Sequence, residues 1–278
     1  MASTKTQRIT STLLTHVVLC TLAFVMILPY FWMISTSFKT FQETMAIPIR
    51  WLPNRIQFGN YREVLGRLNF GRYYYNTFIK TVSIVSLQAL TCSMAAYGFA
   101  RIKFPGRSVI FMVLLSMMMI PSQMTIIPNF LLLLRFGWID SFAALIIPHF
   151  FSVYGTFFLR QFFLTIPGEL EEAAIIDGCS RPGIYWRIFV PLSGAAFAAF
   201  AIFTINWSWN DLMWPLIMTS RESIRVLAVG VATLSGQHFT RNDWLMAASL
   251  LATGPLILVF LVLQKHFIAG VQLTGLKA

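Results

Sequence analysis

The segment Ile166–Leu192 holds the side chains best suited to recognising another protein. Three carboxylates and two small side chains follow one another closely at its start, namely Glu169, Glu171, Glu172, Ala173 and Ala174. Acidic residues in a first turn stabilise a helix through its dipole, and alanine is the strongest helix former. Gly178 can end that helix with a positive φ, and Ser180 can cap the next one. The pattern predicts a short helix over Gly168–Asp177, a sharp bend and a second helix.

This short helix suits docking better than it suits lying on a lipid surface. Its carboxylates would be repelled by an anionic leaflet, whereas Ala173 and Ala174 let a partner approach closely. We therefore predict a recognition helix, with Glu172 as the main docking residue. Glu171 and Asp177 add charge, and Gly178 provides the bend.

A second group of polar and aromatic residues suits a sugar rather than a reaction. His149 lies in a charge-free stretch, and another such stretch ends with Asn206, Trp209 and Asn210, directly before Asp211. Amide, carboxylate and indole groups can hold a sugar. The same residues can equally cap or hinge a helix, and His149 can satisfy a bond between helices. Both interpretations stay open for each of these residues.

The usual signatures of an enzyme are missing from the sequence. It holds no G-x-x-x-x-G-K-[ST] phosphate loop, no H-E-x-x-H and no nucleophile–base constellation. The three cysteines, at positions 20, 92 and 179, have neither metal-like spacing nor an obvious pairing. We predict no catalytic residue, no metal site and no cofactor in this chain.

The elements that must position these residues are membrane helices. Apolar residues make up 57% of the chain and charged residues only 11%, too few to coat a water-soluble domain. Six charge-free stretches have the length of about 18 residues that a spanning helix needs. The prediction is one all-α integral membrane domain over residues 1–278, with spans at about 9–38, 77–100, 108–134, 141–160, 188–215 and 244–265.

Local residue types predict how these spans pack and bend. The small residues of Ser93–Ala100 permit a close approach between helices. Pro121 and Pro128 should bend the third span. The segment Thr219–Asp243 is polar and is expected to be an external loop with a short helix.

The basic residues decide neither the orientation nor a nucleic-acid function. With six spans both termini lie on one side, and Lys and Arg are then equally numerous on the two sides. The positive-inside rule therefore gives no orientation. Since the net charge of +11 is scattered over loops at the membrane ends, it suits lipid headgroups rather than nucleic acid.

The loop then resembles a known family. Glu172-Ala173-Ala174, Gly178, Ile188 and the pair Val190-Pro191 have the spacing of the EAA loop of binding-protein-dependent ABC importers. The runs Phe157–Phe163, Met118–Pro128 and Trp209–Ile217 are similar to carbohydrate-uptake permeases of the maltose and glycerol-phosphate type. Two departures are Val190 in place of the usual Leu and Gly194-Ala195 where the family commonly has a proline. The second departure should make the start of the fifth span straighter.

The resemblance implies a type I importer permease fold in the inner membrane of a prokaryote, with both termini in the cytoplasm. The coupling loop, residues 161–190, would then lie in the cytoplasm and contact an ATPase through Glu171, Glu172, Ala173, Ala174, Asp177 and Gly178. The implied partners are a homologous sister permease, two ATPase subunits that bind ATP and Mg, an extracytoplasmic solute-binding protein, membrane lipid and a sugar. The implied function is ATP-driven sugar import by alternating access.

The main alternative is a secondary transporter driven by an ion gradient. It requires buried charges in the spans, of which the sequence offers few. Such a transporter would also have no ATPase partner.

Overall fold

The computed structural model describes residues 2–236 and 240–275, and helices dominate both stretches. In chain order they are α1 Ala2–Ser37, α2 Phe41–Thr44, α3 Gly59–Arg67, α4 Phe70–Arg101, α5 Arg107–Ser116, α6 Ile126–Arg135, α7 Phe142–Ile146, α8 Val153–Thr165, α9 Gly168–Ile176, α10 Arg181–Ile184, α11 Val190–Leu192, α12 Gly194–Asn210, α13 Met213–Met218, α14 Leu227–Ala232 and α15 Asn242–Gly275. In the described part of the chain, β structure is limited to one isolated bridge between Ser235 and Thr240. The all-α prediction is confirmed.

The apolar helices have the lengths that membrane crossing requires. Three are long enough on their own, at Thr10–Ser37, Phe70–Arg101 and Asn242–Val262. Three bent pairs pass the same test together, at Arg107–Met119 with Ser122–Arg135, Phe142–His149 with Val153–Thr165, and Arg181–Leu192 with Gly194–Asn210. The six predicted spans fall on these six segments of the described chain, while their placement in a bilayer stays a prediction.

Two of the bends have causes that the sequence shows. The third segment turns by 90° after Met119, where Pro121 follows an extended Ile120. Pro128 does not add to this bend, since it lies in the first turn of α6, where a proline is tolerated. The fourth segment turns by 42° beyond His149, and Pro148 lies in the short 3₁₀ turn Ile147–His149 that precedes the bend.

The expectation of a straighter fifth span is wrong. Its two helices meet at 77° across Ser193, although no proline follows that residue. A π-helical turn at Tyr185–Phe189 precedes the break, and Ser193 has left helical geometry with φ −97° and ψ 16°. Pro191 lies in α11, two residues before Ser193, and because it has no backbone N–H it removes a hydrogen bond from the helical ladder just before the break.

The helices divide into two compact units. The first comprises Met1–Asn69 and Val231–Gly254. Within it, residues 10–31 of α1 are exposed along their whole length, as expected of a helix that meets lipid or another subunit. The buried Lys39 donates from Nζ to the carbonyl oxygen of Arg50 at 2.6 Å and lies 3.9 Å from the centre of the Trp32 ring.

The second unit comprises Phe70–Gly230 and Pro255–Ala278, and α4 packs there against α8 and α12. The small-residue face predicted on α4 forms this contact, since Ser93, Ala96 and Ala100 are buried. Gly155 of α8 supplies the matching gap, because a Cβ there would lie 2.6 Å from the Phe200 ring. The core of this unit positions both candidate sites.

Candidate functional site

Helix α9 is separated from the helices before and after it by residues that end regular helical structure. Ile166 and Pro167 are extended and end α8 just before Gly168 begins α9. Gly178 follows α9 with φ +78°, a conformation that glycine adopts without strain. Ser180 then caps α10, where its hydroxyl oxygen accepts from the Gly183 N–H. The predicted helix, bend and second helix are therefore confirmed locally, with Asp177 as the residue that ends α9.

The six residues predicted for coupling divide between the two faces of α9. Glu171 and Ala174 are turned inward, with 8% and 9% of their surfaces exposed. Glu172, Ala173, Asp177 and Gly178 are exposed. Ile176 adds an apolar side chain that is 85% exposed. The outer face thus combines small, acidic and apolar groups, and its direct contacts with a partner stay a prediction.

Glu171 ties α9 to two other helices. Its Oε1 accepts a hydrogen bond from Arg181 Nη1 of α10, and its Oε2 lies 4.0 Å from Arg101 Nη1 at the end of α4. Arg101 Nη2 also donates to the carbonyl oxygens of Phe163, at 2.6 Å, and Ile166, which close α8. We call Arg101, Glu171 and Arg181 the coupling triad. In this structure Glu171 positions α9 rather than presenting its carboxylate to a partner.

The substrate residues proposed from the sequence are only partly brought together. His149 and Asn206 line one cavity of about 480 Å³ in the second unit. The remaining lining residues are Gln88, Phe151, Ser152, Tyr154, Phe203, Thr204 and Trp207. Trp209, Asn210 and Asp211 are not among the lining residues. The cavity combines aromatic rings with uncharged polar groups.

His149 lies against aromatic rings at the wall of this cavity. Its ring meets Trp207 and Trp214 edge to face, at centroid distances of 5.0 and 4.8 Å. Its backbone carbonyl accepts from Gln88 Nε2 at 2.7 Å, which ties α4 to the bend of the fourth segment. Nε2 of His149 is buried and has no hydrogen-bond partner among the described residues. Since a buried polar group usually has a partner, this unpartnered nitrogen is unusual.

Asp211 and Asn210 have structural partners. Asp211 Oδ2 lies 3.4 Å from Lys80 Nζ, and the Lys80 side chain is almost fully buried. Asn210 Nδ2 donates to the carbonyl and side-chain oxygens of Asn206, at 2.9 and 3.1 Å. Of the two interpretations left open for these residues, the geometry favours capping and pairing, while Asn206 stays available to the cavity.

Sequence reasoning missed several residues of both sites. Gln88 was hidden inside an apolar stretch, although an amide at that depth is itself a signal of function. Arg101 and Arg181 were not singled out, because nothing in the sequence shows that they meet Glu171. Lys80, which is buried beside Asp211, was not singled out either.

Broken apolar helices, a cavity between them and a short helix with one exposed face are consistent with a membrane permease. The family described as "Binding-protein-dependent transport system inner membrane component" matches residues 89–272, and this chain belongs to that family. The chain is therefore a transport permease of an inner-membrane, multi-pass family and not an enzyme.

Named relatives match over nearly the whole chain. The arabinooligosaccharides transport system permease protein AraQ of Halalkalibacterium halodurans is 32% identical, covering 98% of this chain and 99% of the relative. The diacetylchitobiose uptake system permease protein NgcG of Streptomyces coelicolor is 31% identical, over 93% and 87%. The sn-glycerol-3-phosphate transport system permease protein UgpE of Brucella abortus is 30% identical, over 95% and 97%. The family match does not favour the secondary-transporter alternative.

A solved structure shows the same fold. It is a bacterial ABC transporter involved in the import of the acidic polysaccharide alginate, with a TM-score of 0.79 and 23% identity. The match covers 92% of this chain and 96% of that one. At this identity the likeness supports the type I importer permease fold and nothing finer.

Proposed function

We propose that this chain is a pore-forming permease subunit of an ATP-driven importer, and that it moves a sugar or sugar derivative across the inner membrane by alternating access. The relatives support the passenger class, because two named relatives belong to systems for oligosaccharides and the third to a system for sn-glycerol-3-phosphate, a polyol phosphate. The partners are a homologous sister permease, two ATPase subunits that hold ATP and Mg, and an external solute-binding protein.

The exposed face of α9 is the observation that carries the proposal. Ile176 and Ala173 offer an apolar patch, and Glu172 and Asp177 offer charge beside it. Apolar side chains left in water stabilise a complex when a partner covers them. A helix of nine residues is short enough to fit a groove on an ATPase subunit.

The coupling triad transmits the motion of α9 to the apolar helices. Through Glu171, a displacement of α9 pulls on Arg101 of α4 and on Arg181 of α10. The α10 segment continues into α12, which lines the cavity with Thr204 and Asn206. A rigid movement of α9 can thus alter the access to the cavity, as in other rigid-body transitions. In this arrangement α9 and both termini are cytoplasmic.

Two experiments test the proposal. In the first, the tagged chain is isolated in mild detergent from its own host. In the second, sugar uptake is followed in inverted and right-side-out vesicles. We expect an ATPase and a second permease to co-purify, and uptake to depend on ATP at the α9 side. Uptake that ceases when ion gradients are collapsed, but continues without ATP, would establish a secondary transporter instead.

A further inference from the structure

The cavity lining narrows the class of passenger. Among the residues that the structure describes, nine line this cavity, and none of them is a lysine, arginine, aspartate or glutamate. Four of them carry aromatic side chains, at Phe151, Tyr154, Phe203 and Trp207. Amides, hydroxyls and one imidazole make up the polar part. Such a lining suits a ligand whose hydroxyl groups bond to the polar side chains and whose sugar rings stack on the aromatic ones.

The buried ion pair Lys80–Asp211 is not available to the cavity. Lys80 precedes Gln88 on α4 by two turns, about 12 Å along a helix. Only 1% of the Lys80 side chain is exposed, and its Nζ is paired with Asp211. Releasing this lysine to a ligand would leave Asp211 buried without its partner, which is strongly unfavourable. The pair therefore provides no net charge to an anionic ligand.

An anion would lose its hydration in this cavity without gaining a cation. Transfer of an unpaired carboxylate or phosphate into such surroundings is far more costly than transfer of a hydroxyl group. The amides can form hydrogen bonds to a hydroxyl that replace those it made to water. Asn206 can hydrogen-bond a hydroxyl from a fixed orientation, since Asn210 Nδ2 donates to its Oδ1 and fixes the amide. His149 also lines the cavity, and its buried Nε2 has no hydrogen-bond partner among the described residues.

We propose that this cavity binds uncharged sugar units, and that the passenger is a neutral saccharide rather than a sugar phosphate or a uronate. The inference rests on the proposed function and goes one step further. On this proposal the charge of the passenger differs from that in similar systems whose named passengers are anionic, such as sn-glycerol-3-phosphate and alginate.

The test uses the importer as it purifies with its subunits and reads the fluorescence of Trp207, at the cavity wall. Neutral probes are arabinotriose, maltotriose and diacetylchitobiose, and anionic probes are sn-glycerol-3-phosphate and an alginate trisaccharide. We expect a saturable change in Trp207 fluorescence with at least one neutral probe. Both anionic probes should bind at least about tenfold more weakly than that neutral probe. The change should be absent from Trp207→Phe and retained in Trp186→Phe, whose indole is exposed outside the cavity.

Asn206→Ala supplies an independent measurement. It removes the fixed amide while retaining the reporter, and we expect neutral binding to weaken by about fivefold, as the loss of one hydrogen bond predicts. Tighter binding of an anion, a response that persists in Trp207→Phe, or no response to any probe would overturn the inference. None of these results affects ATP-dependent uptake, so the proposed function is judged separately by its own experiment.

Discussion

Arg101 and Glu171 lie on different helices, and their charged groups approach to 4.0 Å between Nη1 and Oε2. Arg181 completes the contact from a third helix. The arrangement anchors α9 from inside and leaves its outer face exposed. If α9 is displaced, these contacts can transmit the displacement to the apolar helices, because α9 then moves with them rather than deforming on its own.

Glu171→Gln should uncouple ATP hydrolysis from transport. The substitution leaves Arg101, whose side chain is 13% exposed, without its carboxylate partner. Loss of one member of a buried pair usually destabilises by 3–5 kcal/mol, but Arg181 is half exposed, so we expect about 2 kcal/mol. Thermal unfolding and the ratio of sugar imported to ATP hydrolysed measure the two effects. Glu172→Gln is the matched control for stability, and its unfolding temperature should stay near that of the wild type.

Gly178→Ala should weaken coupling through the backbone alone. The glycine has φ +78°, yet an added Cβ would meet nothing within 4 Å. The expected penalty is therefore that of an L-residue in the left-handed region, about 1–2 kcal/mol. Sugar uptake should fall while the amount of chain in the membrane is unchanged. Gly178→Asn, which tolerates this conformation better, should retain more uptake than the alanine variant. Equal loss in both would refute the backbone explanation.

Gly155→Ala should destabilise the second unit. The new Cβ would lie 2.6 Å from Phe200 Cε2 and 3.3 Å from Cys92 Sγ, so α8 must move away from its neighbours. Overpacking of this kind costs about 1–3 kcal/mol. Gly98→Ala on α4 is the control, because its Cβ would meet nothing within 4 Å. Thermal unfolding in detergent should show a lower midpoint for the first variant only, and Phe200→Leu should partly restore it.

Asp140 should make the contact between the α6–α7 loop and the segment after α13 sensitive to acid. The backbone N–H groups of Arg221 and Ser220 donate to its Oδ1, and these bonds hold the pKa of the carboxyl below its ordinary value. Because the folded pKa is lower than the unfolded one, this stabilisation is complete above the unfolded pKa and is lost as the pH falls through the folded pKa. Unfolding measured from pH 6 downward should show the loss, and Asp140→Asn should remove that part of the pH dependence. An unchanged profile in the variant would contradict this assignment.

Local physical chemistry predicted the parts of the fold that depend on neighbouring residues. The positive φ of Gly178, the cap at Ser180 and the buried face of Ser93–Ala100 follow from residue type and short spacing. The break at Ser193 was not expected, because the prediction considered only the residues after Ser193, whereas a π-helical turn and Pro191 precede it. The absence of a proline after a bend therefore does not ensure a straight helix.

The sequence indicated some residues of each candidate site. It did not indicate the residues of other helices that these residues contact. The sequence indicated α9 but placed Glu171 on its docking face, because nothing near it in the chain revealed Arg101. His149 and Asn206 were singled out by their polarity, whereas Gln88 and Trp207 join them only once α4 and α12 are folded together. Asp211 was proposed for the passenger and lies instead beside Lys80.

The most direct measurement of the central claim is photocrosslinking from α9 in membranes that contain the complete transporter. A photoreactive phenylalanine analogue replaces Ile176, which is 85% exposed, and in a control chain it replaces Met26, which is 75% exposed in the middle of α1. We predict an adduct with an ATPase subunit from position 176, with a yield that changes when ATP is added, and none with that subunit from position 26. Adducts from position 176 that contain only lipid, or the same ATPase yield from both positions, would contradict the account.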